Sequence, residues 1–148
     1  MNSKLTLESN GTFLIENVTD LSYTYFPMCN ALDLKGSLTP SMGGDATIDQ
    51  NSFLLTPSTV VDLENSLMKR NVYFRVNDEF TWSITGQTPI QTLTPDKVDL
   101  YGDFLVHTVK RENALFTCEI ESFIPVNDDQ ELHRIKVTNT RSNLLTLK

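Results

Sequence analysis

The chain has 148 residues, of which 39% are hydrophobic and 21% are charged, a balance typical of one soluble globular domain. Its 19 aspartates and glutamates outnumber the 12 lysines and arginines, which gives a net charge of −7. Such a surface repels phosphate backbones and anionic lipids, so we expect no nucleic acid and no membrane as partners. No run approaches 18 apolar residues and the first eight residues lack an apolar signal region, so the expected location is cytoplasmic.

Short runs with a period of two follow one another along the chain, as expected for strands with one face in a core. They cover residues 12–16, 22–26, 72–76, 80–84, 104–110, 116–123, 132–138 and 144–147. We expect 12–16 to pair with 22–26, and 72–76 to form a hairpin with 80–84. The alternation predicts inward side chains at Phe13, Ile15, Val72, Phe74, Phe116, Cys118, Ile120, Ile135 and Val137.

Two segments depart from this pattern. Residues 58–68 have a capping serine and apolar residues at helical spacing, which predicts one or two helical turns. Residues 33–51 are rich in Gly, Ser, Thr and Asp and are predicted to form a long ordered loop, with a positive-φ turn at Gly43-Gly44-Asp45. The expected fold is an all-β antiparallel β-sandwich. Residues 1–148 would form a single sandwich domain or the N-terminal part of a larger one.

Signatures of catalysis are sparse. The sequence has no nucleophile elbow, phosphate-binding loop or His-Glu-x-x-His motif, and Cys29 and Cys118 are too far apart to suggest a metal site, so we expect no cofactor and no metal. Glu119 and Glu121 share one strand face and could in principle form a glycosidase pair, but acids on a wet strand face are usually only solvated. His107 and His133 have no recognisable partner in the sequence.

The aromatic residues leave two interpretations open. Tyr23 and Tyr25 share a strand face, and Trp82 lies in a predicted strand. Flat aromatic faces suit the apolar faces of sugars, but core packing is the simpler explanation of the same residues.

An ordered series of short signatures extends over most of the chain. They are Tyr25-Phe26-Pro27, Asn30, Thr39-Pro40, Gly43-Gly44-Asp45, Asp49-Gln50-Asn51, Phe53-Leu54-Leu55, Pro57, Asp62-Leu63, Arg70-Asn71, Trp82-Ser83, Thr85-Gly86, Glu121-Ser122-Phe123-Ile124-Pro125 and Val137-Thr138-Asn139-Thr140. This series resembles the N-terminal β-sandwich domain of cellobiose-phosphorylase-type glycoside phosphorylases, particularly the branch that acts on β-1,2-glucans. The resemblance runs from about Gly11 to the last residue. The chain has Val72-Tyr73-Phe74 where the family usually has Phe-Trp.

The resemblance implies part of a galactose-mutarotase-like super-sandwich with an accessory role. In the family this domain packs on a helical (α/α) barrel that carries the general-acid aspartate, helps form the dimer and can lend a loop to the substrate pocket. The barrel is missing here, so the chain alone is expected not to be an enzyme. Its expected partners are a β-glucan oligosaccharide or a catalytic barrel domain.

The loop 39–51 is the segment most expected to reach a substrate. Within and near it, Arg70, Asp45 and Asn51 are the candidate substrate-binding residues, because Arg offers a fork of donors to sugar hydroxyls or phosphate. The alternative is that Arg70 and Asp45 pair with each other and only fix the loop.

A homodimer is also expected, because the tail 142–148 stops where a strand is beginning and would leave a strand edge exposed. The competing hypothesis is a freestanding carbohydrate-binding module. Such a module would present an aromatic platform on its surface, whereas an accessory domain would bury Trp82.

Overall fold

The computed structural model describes residues 3–18, 25–55, 70–85, 97–103 and 105–148. Within these ranges the chain forms twelve strands and no α-helix, which confirms the all-β prediction. The strands are β1 (Lys4–Leu7), β2 (Phe13–Glu16), β3 (Phe26–Cys29), β4 (Lys35–Leu38), β5 (Ala46–Thr47), β6 (Phe53–Leu55), β7 (Tyr73–Val76), β8 (Phe80–Ser83), β9 (Lys97–Gly102), β10 (Val106–Glu112), β11 (Phe116–Phe123) and β12 (Leu132–Asn139). A helix able to cross a membrane is not found in these ranges.

The strands form three antiparallel sheets in a sandwich-like arrangement. The largest has six strands in the order β1-β2-β9-β10-β11-β12. The second has four strands in the order β3-β4-β5-β6, and the third is the hairpin β7–β8. The predicted hairpin is confirmed, and residues 77–79 connect its two strands. The Glu79 NH donates to the Val76 carbonyl at 3.0 Å, and Asn77 (50°) and Asp78 (59°) have positive φ, as the two central residues of a type I′ turn do.

The core lies between the inner face of the six-stranded sheet and the two smaller sheets. Its larger cluster comprises Met28, Leu34, Leu38, Met42, Val76, Trp82, Ile84, Phe116, Cys118, Ile120 and Ile124. A second cluster comprises Ile15, Val18, Val98, Leu100 and Val109. All nine side chains predicted to face inward belong to these clusters or pack against them. Each fully buried apolar side chain contributes on the order of 2 kcal/mol.

The predicted pairing of 12–16 with 22–26 is wrong. Strand β2 pairs with β1 and β9, whereas β3 pairs with β4 in a different sheet. The rings of Phe13 and Phe26 nevertheless stack with centroids 5.2 Å apart. The two segments therefore meet through side chains and not through a backbone ladder; residues 19–24 lie outside the described ranges.

The predicted loop 33–51 is also wrong in part, because it contains β4 and β5. The backbone NH of Ser37 donates to the Asp45 carbonyl at 2.9 Å, next to the β4–β5 pairing. These strands therefore pair although their sequences do not alternate between apolar and polar residues. The segment 58–68, predicted to be helical, lies outside the described residues.

The C-terminal tail is paired where the sequence predicts an open edge. Arg75 and Lys148 exchange two backbone hydrogen bonds of 2.9 and 3.1 Å, and Asn77 donates to the Thr146 carbonyl at 2.9 Å. The tail thus extends the β7–β8 hairpin at β7, and Leu145 and Leu147 pack against the larger cluster.

Candidate functional site

Arg70 is the centre of the most extensive polar cluster among the described residues. Its Nε lies 2.5 Å from Glu131 Oε1, and its Nη2 donates to Glu131 Oε2 at 2.7 Å. The remaining contacts are to backbone carbonyls: Nη1 to Gly43 at 3.2 Å and Met42 at 3.5 Å, and Nη2 to Asp45 at 3.1 Å. The two Nη groups thus make four hydrogen bonds inside the molecule, and Nε is ion-paired with the same carboxylate.

Glu131 links Arg70 to the six-stranded sheet. It lies just before β12, and only 12% of its side chain is exposed, against 8% for Arg70. Burial alone would raise the pKa of Glu131, but hydrogen bonds from His133 and Arg70, together with their charges, hold that pKa below its ordinary value. The carboxylate is therefore ionised and paired at neutral pH.

His133 continues this chain of contacts. Its Nε2 lies 2.8 Å from Glu131 Oε1. On the other side of the ring, Nδ1 lies 2.9 Å from Ser122 Oγ, within hydrogen-bonding distance. His133 and Ser122 are direct cross-strand partners in the β11–β12 register, so His133 is not isolated as the sequence suggests.

Ser122, His133 and Glu131 are the residue types of an acyl-transfer triad, but their geometry argues against that chemistry. Ser122 has no exposed surface, so its hydroxyl cannot reach a substrate carbonyl. The imidazole nitrogens are also exchanged, because in hydrolase triads Nε2 faces the serine. The cluster is a structural device that joins β11 and β12 to residues 42–45.

Asp45 lies at the same place but its carboxylate has a different partner from the one expected. Ser37 Oγ donates to Asp45 Oδ1 at 2.8 Å, and the Asp45 NH donates back to Ser37 Oγ at 3.0 Å. Gly44, between these contacts, has φ of +104°, which confirms the predicted positive-φ turn. Arg70 therefore does fix this segment, as the alternative hypothesis proposed, but through the Asp45 carbonyl group.

Asn51 belongs to a separate and exposed part of the molecule. The turn between β5 and β6 is organised by Asp49, whose Oδ1 accepts from the NH groups of Asn51 at 2.7 Å and Ser52 at 2.8 Å. These hydrogen bonds hold the pKa of Asp49 below its ordinary value. The structure thus brings Arg70 and Asp45 together and leaves Asn51 at the tip of a hairpin, and the assignment of all three to substrate binding stays a prediction.

A small pocket lies beside the guanidinium of Arg70. Its volume is about 270 Å³, and most of its walls are apolar. It is lined by Met42, Arg70, Asn71, Val72, Ile84, Thr85, Ile120, His133 and Ile135. Ligand sites usually start near 300 Å³, so this pocket suits at most a small group. Within the described ranges, no cluster of three or more His, Cys, Asp or Glu residues is arranged to hold a metal ion.

The acids considered for glycosidase chemistry lie on the outer face of the six-stranded sheet. Lys136 Nζ lies 2.9 Å from Glu119 Oε2, and Arg134 Nη2 donates to Glu121 Oε2 at 2.7 Å. The hydrogen bond from Lys136 is the main reason that the pKa of Glu119 lies below its ordinary value. A general acid for glycoside cleavage needs a raised pKa, so Glu119 is unsuited to that role.

The aromatic residues divide between core and surface. Trp82 has no exposed surface and packs edge-on against Phe116, with ring centroids 4.9 Å apart and planes at 83°. Tyr25 and Tyr73, in contrast, are 55% and 41% exposed. Trp82 is therefore a core residue and cannot form a sugar platform.

Comparison with known proteins gives no family assignment: no protein-family model matches the chain, and no curated protein matches it.

Proposed function

We propose that the chain is a non-catalytic β-sandwich domain of a glycoside phosphorylase that acts on β-glucans, where it supports the catalytic barrel, the dimer and the substrate pocket. The observation that carries the choice over a freestanding binding module is the complete burial of Trp82. An accessory domain needs this residue for its own core, whereas a carbohydrate-binding module needs such an aromatic face in water.

The segment 39–51 suits the role of a contributor to a neighbouring site. Residues 39–44 are mostly buried, and Arg70 donates hydrogen bonds to the carbonyl groups of Met42, Gly43 and Asp45. Residues 48–54, in contrast, form an exposed hairpin tip. Its apolar side chains Ile48, Phe53 and Leu54 are 38%, 39% and 57% exposed, beside Asn51. A fixed base with an exposed apolar and polar tip is the architecture expected of a loop that docks on a partner.

The absence of catalysis in the proposed role agrees with the state of the candidate acids. Glu119 and Glu121 are each held by a cation, and the phosphorolytic mechanism in the related enzymes uses a barrel aspartate as acid. We further propose a cytoplasmic location, since Cys29 and Cys118 are both free thiols, as is usual in a reducing compartment.

The alternative, a freestanding carbohydrate-binding module, is favoured by one observation, the exposure of Tyr25 and Tyr73. If these rings bind sugar, the chain alone binds β-glucan oligosaccharides and Tyr73→Ala weakens that binding. If the chain has the accessory role instead, we expect no measurable binding of these oligosaccharides by the wild-type chain or by Tyr73→Ala.

The test uses the purified chain with β-1,2- and β-1,4-gluco-oligosaccharides, with and without inorganic phosphate. We expect no phosphate-dependent release of glucose 1-phosphate and no calorimetric binding. Turnover that survives in Glu119→Gln and Glu121→Gln would contradict the proposal, and turnover lost in those variants would revive the carboxylate pair. Saturable binding that Tyr73→Ala abolishes would favour the module.

A further inference from the structure

The edge of the six-stranded sheet at β1 carries apolar side chains that the described residues leave in water. Leu5 and Leu7 are 59% and 74% exposed. They lie on the inner face, because their register partners on β2 are Ile15 and Phe13, which belong to or pack against the second cluster. Exposed leucines on an open strand edge are a liability that proteins normally cover or blunt with charge.

The backbone register shows which groups are available at this edge. The Glu8 NH donates to the Thr12 carbonyl at 2.9 Å, which continues the β1–β2 ladder beyond Leu7. In an antiparallel pair, successive residues direct their backbone groups alternately towards and away from the neighbour. Lys4, Thr6 and Glu8 therefore bond to β2, and the NH and carbonyl groups of Leu5 and Leu7 point outward.

The sequence of this strand is symmetric about Thr6. Residues 3–9 read Ser-Lys-Leu-Thr-Leu-Glu-Ser, a palindrome except that Lys4 is matched by Glu8. When two copies pair antiparallel about a twofold axis at Thr6, Leu5 of each copy lies opposite Leu7 of the other. All outward backbone groups of these leucines are then used in four hydrogen bonds. The same register places Lys4 opposite Glu8 on the outer face, an opposite-charge pair that occurs twice by symmetry.

We propose that this edge is a self-recognition surface, at which β1 of one copy pairs with β1 of a second copy to form a continuous twelve-stranded sheet. The four leucines form one apolar row across the twofold axis, and two Lys4–Glu8 pairs fix the register. Lys4 already lies 3.9 Å from Glu16 on its own β2 and is 72% exposed, so it remains free to reach a second carboxylate.

The opposite edge of the sheet is less suited to this pairing. Strand β12 carries Arg134 and Lys136 on its outer face, bound to Glu121 and Glu119 of β11. Two copies of β12 paired about a twofold axis would bring cations against cations. The β1 edge is therefore the better choice for a symmetric contact.

The surface is small, and this sets the expected strength. Each copy contributes about seven residues, whereas a standard stable interface uses roughly 20–30 a side. We therefore expect a reversible dimer with a dissociation constant on the order of 10–100 µM. This inference names the surface for the dimerisation included in the proposed function, but its test needs neither sugar nor barrel, so its failure would leave the accessory role standing.

The experiment is sedimentation velocity over a concentration series that spans the micromolar range, on wild type and three variants. In Lys4→Glu and in Glu8→Lys, both symmetric pairs become like-charged, and we expect each variant to associate about tenfold more weakly. The equimolar mixture of the two regains opposite charges in both pairs, so association returns. The control Lys35→Glu changes net charge as Lys4→Glu does but lies on β4, and we expect it to associate as wild type does.

Overall charge repulsion predicts a different pattern. Because the chain is acidic, Glu8→Lys would then strengthen association, and Lys4→Glu and Lys35→Glu would weaken it equally. That pattern, a wild type that stays monomeric throughout, or a dimer unchanged by both variants would overturn the proposal.

A backbone variant gives an independent readout. Leu5→Pro removes an NH that points away from β2, so the β1–β2 ladder remains and the circular dichroism spectrum is expected to be unchanged. The self-pairing loses two symmetric hydrogen bonds and the proline blocks close approach, so we expect a monomer. A folded Leu5→Pro protein that dimerises like wild type would contradict the assignment of the contact to this edge.

Discussion

Replacement of Arg70 tests most sharply whether the cluster around it holds the molecule together. In Arg70→Met, the carboxylate of Glu131 loses its main cation although only 12% of its side chain is exposed, and the carbonyl groups of Met42, Gly43 and Asp45 each lose the donor that Arg70 supplies. Removing one partner of a buried ion pair typically costs about 3–5 kcal/mol. A domain of this size has a total stability of roughly 5–15 kcal/mol, so the variant is expected to remain folded but close to its limit.

The assay is urea unfolding followed by the fluorescence of the single, buried Trp82. Arg70→Lys keeps the charge but loses the planar fork, and we expect an intermediate loss of about 2 kcal/mol. The matched control is Arg134→Met, which breaks an arginine–glutamate pair of the same 2.7 Å length, but with the arginine side chain 72% exposed. Exposed pairs contribute about 0–1 kcal/mol. Equal losses in Arg70→Met and Arg134→Met would refute the reasoning.

Three further predictions concern single groups. Burial lowers the pKa of His107 below 6.5 in the folded protein. Just below pH 6.5 the imidazole is therefore protonated to a greater extent in the unfolded state than in the folded state. Stability is therefore expected to fall as the pH drops through 6.5, and the difference between wild type and His107→Phe isolates this term in urea titrations between neutral pH and about pH 5. Gly44→Ala is expected to lower the free energy of unfolding by more than about 2 kcal/mol, because φ is +104° and the added Cβ would lie 2.1 Å from a backbone oxygen. The control Gly36→Ala, whose Cβ would lie 3.4 Å from its nearest atom, should lower it by less than about 1 kcal/mol in the same assay. Equal losses in the two variants would be inconsistent with this geometry. Burial raises the pKa of the Cys118 thiol to about 12, so a disulfide reagent should label only the exposed Cys29 until the protein unfolds, and rapid labelling of both thiols would show that the core is open.

The sequence is most informative where one strand face is apolar and the other polar. Residues 116–123 show this alternation over a full strand, and the structure buries Phe116, Cys118 and Ile120 as predicted. The β7–β8 hairpin could be predicted from the sequence for the same reason, since its turn residues separate two alternating runs. Strand β4, in contrast, reads Lys-Gly-Ser-Leu, and its partner β5 has only two residues, so neither has a period that sequence reasoning can recognise.

Local sequence patterns do not predict which distant strands pair with each other. Strand β2 is joined to β9, which lies more than eighty residues later, and nothing in either run specifies the other. The same limit applies to the candidate site. Arg70 was singled out by its position in a signature, but its partner Glu131 is 61 residues away. Only the link between His133 and Ser122 had a local signal, because two adjacent alternating strands place them on the same face.

The central claim, that this is an accessory domain of a phosphorylase, is tested most directly by reconstitution with a catalytic barrel. The measurement is phosphate-dependent turnover of a β-1,2-gluco-oligosaccharide by the helical barrel of a β-1,2-glucan phosphorylase from which its own N-terminal sandwich has been removed. We expect that addition of the chain raises this turnover. We also expect that Phe53→Asp in the hairpin tip lowers the gain, while Lys35→Glu leaves it unchanged. No gain at any concentration of a folded chain, together with unaided binding of the oligosaccharide to the chain, would contradict the account.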